Sequence, residues 1–301
     1  MRRALFVLSF FGATVLANAT TQAVMSCNQI YAEVETAGRI LKVNQLKAHY
    51  RQSLAAGDCP DTFRRKLGRQ VATAIVRAAE EAVASGQSLE SQESRLTDSL
   101  KYHRLWQVLA TLGDIAKRRQ DFVTAAERYQ QSLDAIANET ETRKPPAANI
   151  IASIFKKAET SRLLADSYVA PPRSRTGKPT GLGALRVRGF KPATVAIPIT
   201  FGPDSSALTP EGEAATRDLL RQLQADGSPD VTLVGHAGGT HPQSLSEARA
   251  TAVKQFLVKA GYIGKIDTVG RGASEPYAPD DPSDYSERQR RRMDRRVELR
   301  R

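Results

Sequence analysis

From residue 28 to about 168, apolar residues return at intervals of three and four with few glycines and many alanines, which predicts amphipathic helices packed on one another. Leu67, Val71, Ile75, Ala78 and Ala82 make one stripe, opened by Cys59-Pro60-Asp61 and closed by Ser85-Gly86. Ile151, Ile154, Phe155, Ala158 and Ala165 share a side of another helix, expected over 147–168. Beyond residue 193 the period changes. Segments 194–201, 230–236, 266–270 and 296–299 read as strands. Thr209-Pro210-Glu211 opens a helix to about Ala225 with Leu219, Leu220 and Leu223 inward, and a Ser244 to Glu247 capping box launches a second with Ala248, Ala252, Phe256 and Leu257 buried. Strand, helix, strand, helix, strand, strand predicts an α/β two-layer sandwich after an all-α region. Between them, 170–192 is rich in proline, glycine and basic residues and reads as a linker, so the domains expected are 20–169 and 193–301.

The first residues are of another kind. Arg2 and Arg3 precede an apolar run from Ala4 to Leu16 and then Ala17-Asn18-Ala19, the form of a secretory signal peptide over 1–19 cleaved near Ala19. A run this short falls below the roughly 20 residues that span a bilayer. Export brings an oxidising compartment, in which Cys27 and Cys59 are expected to close a disulfide. Val24-Met25-Ser26-Cys27 loosely imitates a lipoprotein box, a minor alternative because polar residues separate it from the apolar run. Loss of Arg2 and Arg3 with the leader takes the formal net charge from +12 to +10. So basic a chain favours anionic partners, and export excludes nucleic acid as the physiological one.

Two sets of spaced residues carry resemblances. Leu109, Leu112, Gly113, Ala125 and Tyr129, with Asp121-Phe122 between them, are similar to one tetratricopeptide helix pair. That likeness implies a helical module for an unidentified protein partner, against the plainer reading of a helical spacer. In the last third, Gly235-His236, Leu245-Ser246-Glu247-Ala248-Arg249-Ala250, Gly270-Arg271-Gly272 through Pro276, and Asp294-Arg295-Arg296-Val297-Glu298 follow in order. This succession resembles the OmpA C-terminal-like family over about 193–301. The resemblance implies binding to the diaminopimelate residue of peptidoglycan stem peptides, whose carboxylate would be taken by Arg249, with Arg295 or Arg296 as a second cation and His236 as a polar contact. A guanidinium suits a carboxylate because its fork of donors pairs bidentately.

The chain also departs from that pattern. Where the family reads Gly-His-Thr-Asp, this chain reads Gly235-His236-Ala237-Gly238, so the carboxylate for the diaminopimelate ammonium is missing; Pro242 stands where an asparagine is usual. No nucleophile elbow, phosphate loop or His-Glu-x-x-His motif appears, and Asp280, Asp281 and Asp284 read as an acidic loop, so neither catalysis nor a cofactor is expected. His236 and His241 lack acidic or cysteine neighbours in sequence, and no metal is expected. The resulting expectation is a peptidoglycan-binding envelope protein, free in the periplasm or associated peripherally with the outer membrane. The alternative is an interaction scaffold whose OmpA-like domain has lost its ligand.

Overall fold

In a computed structural model the described residues are 25–37, 42–173, 180, 187–239 and 241–301. The expected signal peptide lies outside them. The chain divides into two compact units, residues 1–64 and 65–301. None of the described helices is long and apolar enough to cross a membrane.

The first unit holds α1 (Cys27–Ala37), α2 (Val43–Ala55) and the first turn of α3 (Asp61–Ala84). Its core gathers Ile30, Val34 and Leu46, with Tyr31 and Phe63 in ring contact. Cys27 and Cys59 form the expected disulfide, and the Cys27 amide donates to Asp58 at 3.1 Å. Closing a loop of 32 residues stabilises the fold by about 3.7 kcal/mol in the chain-entropy account.

The second unit continues through α4 (Glu93–Ser99), α5 (Trp106–Arg118), α6 (Phe122–Ala137) and α7 (Ala148–Leu164). Gly113 lets α5 and α6 approach: a Cβ there would stand 2.6 Å from the ring of Tyr129. Asp121 caps α6 by accepting from the Thr124 amide.

β1 (Thr194–Ile197), α8 (Pro210–Ala225), β2 (Val231–Gly235), α9 (Gln243–Lys259), β3 (Ile266–Gly270), α10 (Glu287–Met293) and β4 (Val297–Arg300) follow. The strands lie in the order β1-β4-β2-β3, antiparallel except for β2 with β3. Side chains alternate across the sheet. Val195, Ile197, Leu233, Val297 and Leu299 join α8 and α9 in the core, while Glu298 and Arg300 point to the opposite side.

Three local expectations change. The first strand is shorter, ending at Ile197, with Phe201 in an isolated bridge to Leu208. α9 starts at Gln243 with Pro242 as its N-cap, so Ser244 and Glu247 lie inside the helix and form no capping box. Its buried stripe is Ser246, Arg249, Ala250, Val253 and Leu257, with Ala248 exposed, because the helix is oriented by its contact with β2 and β3. Gly235 permits that contact, since any Cβ there would collide with the Ser246 carbonyl.

The spacer reading of the helical region fails on packing. α7 does not hold the sheet at a distance but forms one of its walls: Ile151, Ile154, Phe155 and Ala158 belong to the same apolar cluster as Val195 and Leu219. Every residue from Ala158 to Ala165 is buried, including four polar ones. Glu159 meets the open edge of β1, where its Oε1 accepts from the Ala196 amide at 2.6 Å and its Oε2 from Tyr277 at 2.8 Å. Lys117 on α5 donates to Asp280 at 2.6 Å and pairs with Asp284 at 2.8 Å, so the acidic loop docks on the helices. Described parts of 170–192 are tied down as well: Arg173 pairs with Asp218, and Arg188 donates to the Thr142 carbonyl at 3.0 Å. Arg175 and Lys178 lie outside the described residues.

Candidate functional site

A cavity of about 650 Å³ opens where the loop after β1, the start of α8, the buried face of α9, the end of α10 and the end of α7 meet. This volume falls in the range of small-ligand sites. Arg249 enters from α9 and is only 6% exposed. Its Nε donates to the Ser205 carbonyl at 3.0 Å, and its guanidinium lies 5.1 Å from the ring centre of Phe201. Burial and the nearby Arg295 lower its pKa, and Asp204 works in the opposite direction. Loss of water and a like charge both make the cationic form costly here, and an incoming carboxylate would offset that cost.

Arg295 lines the same cavity from the turn after α10. Asp204 stands on its wall with the side chain 80% exposed, 3.6 Å from His241 Nδ1, and with a left-handed backbone (φ 47°) that aspartate tolerates. Arg292 on α10 donates to Asp166 at 2.9 Å and to the Ala165 carbonyl, holding the end of α7 against the cavity. From that end comes Arg162, 6% exposed.

His236 and Arg296 go elsewhere. His236 is 1% exposed and its Nε2 lies 3.3 Å from Glu298 Oε2, an ion-pair distance without the alignment of a hydrogen bond. Arg296 donates through Nε to Glu298 at 2.8 Å and through Nη2 to the Glu275 carbonyl at 3.2 Å, and Arg300 pairs with both Glu298 and Glu275. Burial alone would raise the Glu298 pKa, but His236, Arg296 and Arg300 outweigh it and hold the carboxyl far below the usual range. One ligand atom each from His236, Glu275 and Glu298 lies within 4.8 Å of the others, a grouping that sequence spacing conceals. Both carboxylates there already carry guanidinium partners.

The four arginine and histidine candidates therefore separate into two pairs: Arg249 and Arg295 line the cavity, whereas His236 and Arg296 are built into a buried network. Sequence reasoning missed Asp204 and Arg162, and singled out Arg292 only as part of the positive run from Arg288 to Arg296. It also missed α10, although Ser286 and Gln289 form a capping box whose S-x-x-Q signal is present in the sequence. Gly238 occupies a tight place, where a Cβ would stand 3.0 Å from the Arg291 carbonyl and 3.1 Å from Asp294 Cβ.

The comparisons concern this part of the chain. Outer membrane porin F of Pseudomonas fluorescens is 32% identical over 109 residues, covering 35% of this chain and 32% of that protein. The photosystem I P700 chlorophyll a apoprotein A2 of Gloeobacter violaceus is 33% identical over 107 residues, covering 34% of this chain and 12% of that protein. The chain thus spans a third or less of these curated relatives. Among solved structures, the cell wall anchor of the T6SS from Pseudomonas aeruginosa aligns with a TM-score of 0.29 and 25% identity over 35% of this chain and 76% of that one. A putative MotB like protein from Desulfovibrio vulgaris aligns with a TM-score of 0.30 and 21% identity over 36% and 74%. The match that names a family is to OmpA and runs from residue 200 to 291, so this stretch of the chain, which holds Asp204, Arg249 and the first part of the arginine-rich end, is an OmpA family domain.

Proposed function

We propose that this protein is an exported cell-envelope protein that attaches non-covalently to peptidoglycan through its OmpA family domain. The observation that carries the reading is the meeting of Arg249 and Arg295, from separate elements, in one cavity with Asp204 on its wall. A diaminopimelate centre carries a carboxylate and an ammonium. The carboxylate goes to Arg249 and Arg295, and the ammonium to Asp204, which takes over the role that the family gives to an aspartate at the position of Gly238. The likeness to an outer membrane porin agrees with an envelope location. For the helical region, the close fit of Gly113 to Tyr129 supports a tetratricopeptide-like pair that serves a protein partner. Catalysis forms no part of this reading.

The test is co-sedimentation of the mature full-length chain with purified sacculi at low and moderate salt. The full chain is needed because α7 walls the sheet, and a fragment beginning after it would expose that core. Binding is expected to persist at moderate salt, to disappear in Arg249→Ala and to weaken roughly tenfold in Asp204→Asn, as suits loss of one charged partner at a wet site. Gly238 favours a second reading, the scaffold without a wall ligand, and failure of the native chain to sediment under both conditions would establish it.

A further inference from the structure

Arg162 poses a problem that the site as described leaves unsolved. It is a buried arginine on the last turn of α7, outside the OmpA match, and it lines the cavity. Its Nε finds no hydrogen-bond partner among the described residues. Tyr168, Asp218 and Glu159 are the nearby groups that favour its charge, and Glu159 is already taken by the Ala196 amide, Tyr277 and Lys156. Asp218, however, is already engaged: Oδ2 accepts from Tyr168 at 2.5 Å, and Oδ1 accepts from Arg173 at 2.8 Å and from Arg221. Three donors thus surround one carboxylate before Arg162 is counted. A guanidinium withdrawn from water with a donor left over is costly unless something else supplies the acceptor. Arg292 adds a second cation on this side of the cavity, its partner Asp166 being almost wholly in solvent.

We propose that Arg162, flanked by Arg292, forms a second anion subsite in the cavity, so that the site reads two carboxylates on one wall peptide: one on Arg249 and Arg295, the other on Arg162. This rests on the reading of the cavity as a stem-peptide site. It assigns the helical region a direct part in ligand choice, since α7 supplies the second subsite while the OmpA domain supplies the first. A peptide with a single free carboxylate fills only half of the arrangement. One carrying two also sets an anion beside the Arg162 guanidinium, and charge-assisted pairing in a largely desolvated place is the stronger kind.

The experiment is titration of the mature full-length chain with two synthetic stem peptides. Both contain diaminopimelate; one carries an additional free carboxylate, and in the other that carboxylate is amidated. Amidation is expected to weaken binding by roughly tenfold or more, a drop of the size expected from losing a charged partner. Arg162→Met, which keeps the buried stem and removes the charge, is expected to bind both peptides alike, at the level of the native chain with the amidated one. Equal affinity of the native chain for the two peptides overturns the second subsite while leaving the first in place. Binding of neither peptide overturns the stem-peptide reading and the subsite with it. Should Arg162→Met fail to fold by circular dichroism, the two peptides on the native chain still decide the matter.

Discussion

Arg295 and Arg296 are neighbours in sequence yet belong to two regions with opposite electrostatics. The cavity that Arg295 faces holds cations whose local compensation is incomplete and partly wet, as the lowered pKa of Arg249 and the exposed Asp204 show. The network that takes Arg296 is buried and closed, with Glu298 receiving His236, Arg296 and Arg300 together. Unmet charge near solvent makes a binding surface at small cost to the fold. Buried charge must be matched inside the molecule, and once matched it is part of the structure.

The largest effect should come from unmatching the network. Glu298→Gln leaves Arg296 buried without its counter-charge and is expected to cost about 3 kcal/mol in urea unfolding at pH 7, with the affinity of the folded protein for sacculi unchanged. The acid limb follows from the same group. Its pKa is depressed in the folded state, so its contribution is complete above the unfolded carboxylate value of about 4.3 and is lost as pH falls toward the folded one. Native protein should therefore lose stability progressively below about pH 4.5, and Glu298→Gln should show a shallower loss when unfolding midpoints at pH 7 and pH 3.5 are compared.

Arg249→Lys reverses that balance. It removes the bidentate fork but keeps the charge, so sacculus affinity should fall roughly tenfold while unfolding changes by less than about 1 kcal/mol. A comparable loss of stability would move Arg249 from the cavity class to the network class. Gly238→Asp restores the residue usual in the family, but its Cβ meets the Arg291 carbonyl at 3.0 Å. A cost of about 1 kcal/mol without any gain in wall binding is expected, and tighter sedimentation would show that Asp204 does not hold the ammonium. Arg295→Gln, at an exposed position, should shift stability by no more than about 0.5 kcal/mol and weaken binding a few-fold.

Much of the architecture was legible because it depends on local chemistry. β3 occupies the expected 266–270, and α8 ends at Ala225 as the pattern of Leu219, Leu220 and Leu223 implies. Arg249 was legible as a candidate from its motif. Its burial was not, because the face α9 turns inward is set by contact with β2 and β3 rather than by its own weak periodicity. The run from Arg288 to Arg296 reads as one positive patch. Its residues scatter to solvent, cavity and network because α10 ends within it, at Met293, and the chain turns there before entering β4 at Val297.

By itself the sequence determined the helical first part, the four strands and the first two helices after residue 193, the disulfide and the identity of the arginines, since propensity, capping and period act over a few residues. The tertiary structure alone decided that α7 walls the sheet, that Asp204 stands across from Arg249, and that Arg162 ends in the same cavity. Arg162, Asp204 and Arg249 are 42 to 87 positions apart, and no local pattern records which charges will be left together once water is excluded.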